Sequence, residues 1–518
     1  STRVGIRRQR QMCIRDRLFL LLVAFVGGIV ALMITAREEE PQIIVPMADV
    51  LVAAPGLSAE QVERQIATPL EKILYQIDGV EDVYSMSRSD QCVVTVRFYV
   101  AEDREDSLVK IYNKVFSQID RIPAAVQSWV VKPIEVDDVP IVVAVLWSDD
   151  TALTGDHELR RLAEEIEHDL QSIKDTNHIN VTGGRPRQIR VELDPEALAA
   201  RRTAPLEVAW AFDISNRFLP AGEVQVLDEN IVVEAGKFIR SAGELSKLVV
   251  NVVDGVPVYL ADVARISDGP AEPTSYTWLG FGPASDFLPD YPGIYPAVAV
   301  SIAKKKGANA VRVAREVEDY FARLKQDIFP PEVNCRIIRN YGRTADEKIN
   351  NLVSSLLVAV LTVTIFIGIF LGWRAALVVG LAVPICYGIT LVLELFAGYT
   401  INRVTLFAHI LSLGLLVDDP STGVDNGARY MRMGKHPRRR GVILAIGEIR
   451  GALIMSTIAI ILAFAPLYFI TGMMGPYMAP MAFNVPVSVM ASTLVAFLVT
   501  PWLAFKLLKP SQRQTAHK

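Results

Sequence analysis

The chain has 518 residues, a formal net charge of −4, 51% hydrophobic residues and 21% charged residues. Domains usually have about 100–200 residues, so several are expected, and the nearly balanced charge gives no support to nucleic-acid binding. The cysteines Cys13, Cys92, Cys335 and Cys386 form no CxxC pair and no metal-ligand spacing, so neither a disulfide framework nor a metal site is predicted. The sequence has no GxGxxG, P-loop or GxSxG motif, so we predict neither an enzyme nor a bound cofactor.

The first 36 residues contain two different segments. Residues 1–17 are rich in arginine, and residues 12–17 are also one reading frame of a common sequencing adaptor, so we expect a non-native leader there. Residues 18–36 carry no charge and would extend about 28 Å as a helix, enough to cross a bilayer. We predict an uncleaved first transmembrane helix. A cleaved signal peptide is the alternative, but its apolar region is usually shorter.

The segment from residue 42 to 135 is predicted to form a first α+β unit. A strand at 45–54 ends at Pro55-Gly56, and Ser58 with Gln61 has the spacing of a capping box at the start of a helix. Alternating stretches at 80–86 and 92–99 predict a hairpin, and a second helix follows at 106–119. The order is β-α-β-β-α, and it then reaches a new strand at 141–147.

The same order recurs in residues 136–219 and 297–340, which predicts tandem ferredoxin-like βαββαβ units. The predicted elements are strands 141–147, 180–182, 188–193 and 297–303 and helices 157–173, 195–213 and 308–325. Residues 220–296 are rich in Gly, Pro and short β stretches, and we predict a small β insert there. The sequence alone leaves two alternatives equally open: the insert is a docking surface for a partner, or it has no function of its own.

Five further apolar segments predict transmembrane helices, at residues 352–371, 375–397, 404–428, 451–470 and 478–508. A short surface helix is expected at 442–450. Arg374, the cationic loop 429–440 and the C-terminal lysines lie on one side if the helices alternate across the membrane. The positive-inside rule then places the domain of about 300 residues on the opposite, external side.

Asp418 and Asp419 are adjacent in the apolar segment 404–424. An ionised Asp at mid-bilayer costs roughly 2.5–3.5 kcal/mol, so a carboxylate pair there is most simply a proton site. The alternative is a cytosolic core helix that ends at Pro420 with both carboxylates solvated. Within a membrane helix, Pro420 should kink the helix or free a carbonyl beside the pair.

Two other ionisable side chains lie in the predicted helices. His409 is about 14 Å from Asp418 along the helix, where it extends a proton path or, as we favour, is a packed neutral histidine. Glu394 is expected near the external end, in contact with water. An ionised Asp pair needs a cation, and no predicted span offers a well-placed Lys or Arg.

Several motifs together resemble the resistance–nodulation–division (RND) efflux permeases, in particular their hydrophobe/amphiphile branch. They are residues 414–419 (GLLVDD), Pro55-Gly56 followed by Val62-Glu63, Gly183-Gly184 through 193–195 (LDP), residues 255–263 and Gly372-Trp373-Arg374. The likeness extends over residues 18–508. It covers the N-terminal half of a family protein, since the family repeats the plan of six helices and a domain twice.

The resemblance implies a multi-pass protein of the bacterial inner membrane with a periplasmic porter domain. It implies a secondary active transporter for drug/proton antiport that exports hydrophobic or amphiphilic compounds, as a homotrimer with a periplasmic adaptor protein and an outer-membrane channel. Protons are the coupling ion, and Asp418 and Asp419 inherit the role of proton relay. His409 and Asp425 are possible accessories, and Asp425 replaces a Glu common at that place. A Lys from the second half would supply the cation, and the insert would dock the partners.

Three alternatives remain open at this stage. A heavy-metal RND exporter would place Met or Cys pairs along its path, but Met473, Met474, Met478 and Met481 lie at a span boundary and are more simply gap-filling. A sterol-sensing receptor or a protein-translocation accessory shares the architecture. A third class is a non-transporting half-protein that merely assembles with others. Separately, the chain is either a truncated record of a complete pump or a half-transporter that needs a partner.

Overall fold

The computed structural model describes residues 21–508, except 42, 101, 136–137, 151–152, 227–228, 237 and 286–289. The expected leader, residues 18–20 of the first predicted span and the C-terminal basic residues lie outside this part. The first described element is the apolar helix α1 (Leu21–Ile34), and a domain rich in strands follows it.

The strands of this domain are β1 (Met47–Ala53), β2 (Val80–Arg88), β3 (Gln91–Phe98), β4 (Ser128–Ile134), β5 (Pro140–Ser148), β6 (Thr176–Thr182), β7 (Arg187–Leu193), β8 (Phe218–Val226), β9 (Glu229–Gly236), β10 (Val249–Val253), β11 (Val256–Tyr259), β12 (Ala264–Pro270), β13 (Trp278–Gly280), β14 (Ile294–Lys304) and β15 (Val333–Asn340). Its helices are α2, which runs through Ala59–Val62, Glu63–Ala67 and Thr68–Leu74, then α3 (Arg104–Phe116), α4 (Asp156–Leu170), α5 (Pro195–Ala200), α6 (Pro205–Ser215), α7 (Ala242–Leu245) and α8 (Ala310–Asp327).

The first unit is a four-stranded antiparallel sheet in the order β2-β3-β1-β4, with α2 and α3 packed against it. The predicted capping box is confirmed, because Ser58 and Gln61 bond each other's backbone N–H groups. The strand that closes this unit is β4, whereas the sequence suggested that the next strand was the one at 141–147. Pro133 and Lys132 break the apolar alternation of β4, which is tolerated because β4 is an edge strand.

The second unit has the strand order β6-β14-β5-β15, so β14 lies beside β5 although about 150 residues separate them. Helices α4 and α8 bury one apolar face each against this sheet, and Leu159, Ile166 and Val317 are at most 2% exposed. The tandem arrangement of two βαββαβ units is therefore present, with a long excursion between β6 and β14.

That excursion is larger than the insert predicted at 220–296. The strand predicted at 188–193 exists as β7, but it pairs with β12 and not with the sheet of the second unit. The helix predicted at 195–213 is divided into α5 and α6, because Pro205 lacks an N–H group and the residue before a proline avoids helical geometry. Leu198, Val208 and Leu260 belong to a separate apolar core, so β7 and both helices pack with the insert.

Five helices after the domain are long and apolar enough to cross a membrane. They are α9 (Tyr341–Leu371), α10 (Trp373–Phe396), α11 (Arg403–Met433), α12 (Arg438–Phe464), which continues as a 3₁₀ turn (Ala465–Phe469), and α13 (Met474–Leu498), which is followed by α14 (Thr500–Leu507). The short surface helix predicted at 442–450 is wrong as a separate element. No proline interrupts residues 438–464, so the hydrogen-bond ladder of α12 is continuous.

A cluster of ion pairs joins the two parts of the chain at the end of α1. The Lys304 ammonium of β14 lies 2.9 Å from Glu38, and these side chains are only 7% and 3% exposed. Glu39 binds Arg403 of α11 at 2.8 Å and Lys348 of α9 at 3.0 Å. We call this end of the membrane helices, where the large domain lies, the domain end, and the opposite end, which carries residues 434–437, the loop end.

A close helix crossing joins α1 to α10. A Cβ atom built on Gly28 would overlap the Cα atom of Gly388, and one built on Gly388 would overlap the carbonyl oxygen of Ala24. Small residues four apart, here Ala24 and Gly28, are the usual means by which membrane helices approach closely. The backbones of α1 and α10 are therefore in direct contact.

Gly388→Ala is expected to lower the thermal stability of the purified protein, because the added methyl group must push α1 away. Gly447→Ala in α12 is the matched control, since a Cβ atom at Gly447 meets nothing within 4 Å. Alanine is favoured over glycine in a helix by about 1 kcal/mol, so the control should be neutral or stabilising. Melting temperatures in detergent measure both, and equal effects of the two variants would contradict the close crossing.

An ion pair fixes the turn after β6 in the second unit. Arg185 donates to both carboxylate oxygens of Asp156 at 2.8–3.1 Å, and it follows Gly183 and Gly184, whose φ values are +92° and +66°. The Arg185 guanidinium holds the pKa of the Asp156 carboxyl below its usual range. A lowered pKa means that the ionised form stabilises the fold above the pKa of the unfolded chain, about 3.9, and that this stabilisation is lost as the pH falls.

Asp156→Asn is expected to destabilise the domain by about 1–2 kcal/mol at neutral pH, and the deficit should shrink below about pH 4. The control is Asp254→Asn, which removes an exposed partner of Arg202 and should cost less than about 0.5 kcal/mol. Thermal unfolding followed by tryptophan fluorescence over a range of pH measures both. A deficit of Asp156→Asn that stays constant as the pH falls would argue against the ion pair.

Candidate functional site

The Asp pair lies at the middle of α11, a helix of 31 residues. Adjacent residues of a helix point about 100° apart, so the two carboxylates face different neighbours. The Asp419 side chain is buried, with 7% exposure, at the contact between α11 and α13. The Asp418 side chain, by contrast, is exposed on the surface of this single chain.

Asp419 is hydrogen-bonded within a group of hydroxyls from two other helices. The Thr493 hydroxyl of α13 donates to Asp419 Oδ2 at 2.6 Å, and it also lies 2.6 Å from the Thr457 hydroxyl of α12 and 3.1 Å from the Val489 carbonyl. The Thr457 hydroxyl in turn lies 2.9 Å from the Leu453 carbonyl. Helices α11, α12 and α13 therefore meet at this carboxylate.

This arrangement has two complete hydrogen-bonding patterns, because each hydroxyl carries a single hydrogen. With Asp419 ionised, Thr493 donates to it and Thr457 donates to Thr493. With Asp419 protonated, the acid donates to Thr493, Thr493 donates to the Val489 carbonyl, and Thr457 donates to the Leu453 carbonyl. Both charge states thus leave no hydroxyl unsatisfied, and the donor directions reverse between them.

Pro420 continues α11 and frees a carbonyl beside the pair, as the sequence suggested. Proline has no N–H group to donate to the residue four positions earlier, which is Leu416. The Ser492 hydroxyl of α13 donates to this Leu416 carbonyl at 2.9 Å. The proline therefore gives α11 an additional hydrogen bond to α13, one turn from Asp419.

Asp418 belongs to an exposed stripe on α11. The exposed positions 407, 411, 414, 418, 422 and 425 recur at intervals of three or four residues, which is one face of a helix. This stripe includes Asp425, which lies two turns from Asp418 and is not brought to the buried Asp419. Within the described residues, neither Asp418 nor Asp419 forms an ion pair, so the cation expected for the pair is not supplied there.

His409 and Glu394 form a separate contact nearer the domain end. The expectation of a solvated Glu394 is wrong, because the side chain is 1% exposed and faces His409 at the contact of α10 with α11. His409 itself is buried, as favoured, and lies 3.4 Å from that carboxylate. Helix α10 is apolar on all sides, so its sequence does not show which face is buried. The packing of α10 against its neighbouring helices decides that Glu394 does not meet water.

The residues that sequence reasoning missed are on α13. Asn484, Ser488 and Ser492 are all 0% exposed, and Thr493 is 8% exposed. Asn484, Ser488 and Ser492 are four residues apart, which places these three on one helix face in a segment otherwise apolar. That periodicity is visible in the sequence and would have identified a polar stripe.

Comparison with known proteins agrees with this architecture. The profile of the AcrB/AcrD/AcrF family matches residues 10–518, and the chain belongs to this family of RND permeases. Multidrug resistance protein MdtC of Pantoea ananatis (strain AJ13355) is 24% identical over 495 residues, which are 95% of this chain and 46% of that protein. The chain thus spans about half the length of the curated relative that it matches. The family resemblance is confirmed.

Thr493→Val is expected to shift the infrared carboxyl band of Asp419, because the variant removes the hydroxyl that lies 2.6 Å from this carboxylate. Thr493→Ser keeps the hydroxyl and should retain the band. The band is assigned by its loss in Asp419→Asn, and spectra of the purified protein over a range of pH provide the measurement. An identical Asp419 band in the valine and wild-type proteins would contradict the hydroxyl contact.

Proposed function

We propose that this chain forms the proton-translocating and porter portion of a proton-driven efflux permease. The observation that supports it best is the buried Asp419 at the meeting point of three helices, with hydroxyl partners for both of its charge states. Asp418 and Asp419 carry the protons, and protons are the coupling ion. MdtC is named for multidrug resistance, and by this relationship the cargo is a hydrophobic or amphiphilic compound.

The energetics of the pair suit a coupling site. An ionised Asp at the bilayer centre costs roughly 2.5–3.5 kcal/mol on insertion scales, and protonation removes that cost. A proton that crosses a potential of 100 mV supplies about 2.3 kcal/mol. Protonation of Asp419 reverses the donors between α11, α12 and α13, so the contact between these helices has two states that the proton selects.

The exposed stripe of α11 is the face on which a second set of membrane helices packs. Asp418 and Asp425 lie on this face, and carboxylates that become buried need a cation as partner. We propose that helices of a second unit cover the face and bring a Lys close to Asp418. The curated relative is about twice as long as this chain, which leaves room for such a unit. In this scheme His409 and Asp425 lie outside the immediate pair and have accessory roles.

The whole assembly follows the arrangement of the family. The domain formed by β1 to β15 acts as the periplasmic porter of an inner-membrane protein, and the insert with its own core docks a periplasmic adaptor or an outer-membrane channel. Three copies assemble around the transport path. The Glu38–Lys304 pair and the Glu39 pairs carry movement of the helices into the porter units.

Asp418→Asn and Asp419→Asn in the complete permease are each expected to reduce export by about a hundredfold or more, because a carboxamide cannot take up a proton. Asp327→Asn, at the exposed end of α8, is the matched control and should export normally. The readout is efflux of a fluorescent lipophilic cation from cells that lack other pumps, with a protonophore added to show dependence on the proton gradient. Retained export with retained expression in both variants would refute the proposal.

A further inference from the structure

The strongest feature that the proposed function does not use is the contact between Glu394 and His409. Glu394 is 1% exposed and His409 is 4% exposed, and both lie among three membrane helices. His409 is ten residues before Asp419 on α11, which places it about 15 Å away, toward the domain end. A carboxylate and an imidazole at that depth are expensive to bury and call for a chemical explanation.

The hydrogen bonds of the ring decide where its hydrogen lies. His409 Nδ1 is 2.6 Å from the Thr405 carbonyl oxygen, and a carbonyl accepts only. Nδ1 therefore carries a hydrogen and donates it. The other nitrogen, Nε2, faces Glu394 Oε2 at 3.4 Å, and neither atom has another hydrogen-bond partner among the described residues.

Without a proton, Glu394 Oε2 and His409 Nε2 are both hydrogen-bond acceptors, and two acceptors that face each other in a buried site repel. A proton between them turns this repulsion into a hydrogen bond. With one proton, the pair is a neutral acid beside a neutral imidazole or a carboxylate beside an imidazolium, and either form has no net charge. Without it, a buried carboxylate would remain, with only the Asn484 amide at 3.4 Å to stabilise it. One proton held between Glu394 Oε2 and His409 Nε2 would therefore satisfy both atoms.

Among the described residues, Glu394 and His409 form no ion pair except with each other. On α10, Tyr387 donates to the His409 carbonyl at 2.6 Å and stacks on its ring, and Cys386 is buried next to it in sequence. On α13, the Asn484 amide donates to Glu394, and Ser488, one turn later, is buried; both side chains are uncharged. The nearest cation on α11 is Arg403, at the start of the helix, and it is bound to Glu39.

Three buried serines, Ser412, Ser488 and Ser492, which we call the serine row, lie between this pair and Asp419 along α11 and α13. Ser488 and Ser492 follow Asn484 at intervals of one turn on α13, and Ser412 of α11 donates to the His409 carbonyl at 3.0 Å. These three serines are 0% exposed, and the Ser488 hydroxyl has no hydrogen-bond partner among the described residues. Ser492 is the neighbour of Thr493, which donates to Asp419.

We infer that Glu394 and His409 form a second proton-binding site, which loads from the domain end and supplies Asp419 through the serine row. In the transfer, the proton leaves the Glu394–His409 pair and joins the Asp419 carboxylate, and water at the domain end restores it to the pair. The supply step rests on the proposed function, whereas the binding of a proton at Glu394 and His409 does not.

The binding step is tested on the full-length permease reconstituted in lipid. Infrared spectra recorded from neutral to alkaline pH should contain a carboxylic-acid or imidazolium band that disappears as the pair loses its proton. This band should be absent from Glu394→Gln and present in Asp419→Asn. The matched control is Glu347→Gln, which changes an exposed carboxylate on α9 and should keep the band. Spectra of Glu394→Gln identical to the wild type would overturn the proton site.

The supply step is tested by proton influx into liposomes under an imposed pH gradient. Glu394→Gln and Ser488→Ala should each slow proton influx by about tenfold or more and change its pH profile, while Glu347→Gln leaves both unchanged. A wild-type rate and pH profile in both variants would overturn the relay, provided that Asp419→Asn is inactive. An active Asp419→Asn would instead refute the proposed function and leave the infrared result standing.

Discussion

The membrane part of this protein depends on the rule that a polar group without access to water must have a hydrogen-bond partner. Helices α11 and α13 satisfy this rule for each other at two neighbouring points of their contact. The Ser492 hydroxyl donates to the Leu416 carbonyl that Pro420 leaves free, and the Thr493 hydroxyl donates to Asp419. These bonds fix how the two helices face each other, and the remaining helices pack around that contact. The same rule makes the contact sensitive to protonation, since the number of donors changes by one.

Much of this organisation was predictable from the sequence, where local chemistry decides the outcome. The capping box at Ser58, the tandem units and the membrane helices follow from spacing and composition. The Asp pair stands out because charges are rare in apolar segments. The burial of Glu394 and the pairing of β7 with β12 were not predictable, because each depends on residues far away in the chain. The spacing of Asn484 and Ser488 predicts a polar helix face, but the partner of that face, Glu394, is known only from the structure.

The junction at the end of α1 joins the apolar helices to the large domain through ion pairs. A buried ion pair is expensive to break, because loss of one partner leaves an uncompensated charge. Glu38 and Lys304 form such a pair, and backbone hydrogen bonds from Ile401 to Ala36 and from Glu38 to Ile401 surround it. The second α+β unit, α1 and the start of α11 are thus joined at one place.

The glycine contact between α1 and α10 gives this connection a mechanical meaning. Since Gly28 and Gly388 leave no gap between the two backbones, α10 cannot move toward α1 at this crossing without displacing it. Helix α10 carries Glu394 six residues after Gly388, and α1 leads to Glu38 ten residues after Gly28. The close crossing and the Glu38–Lys304 pair thus place Glu394 and strand β14 on elements that contact each other in sequence: α10, α1 and β14.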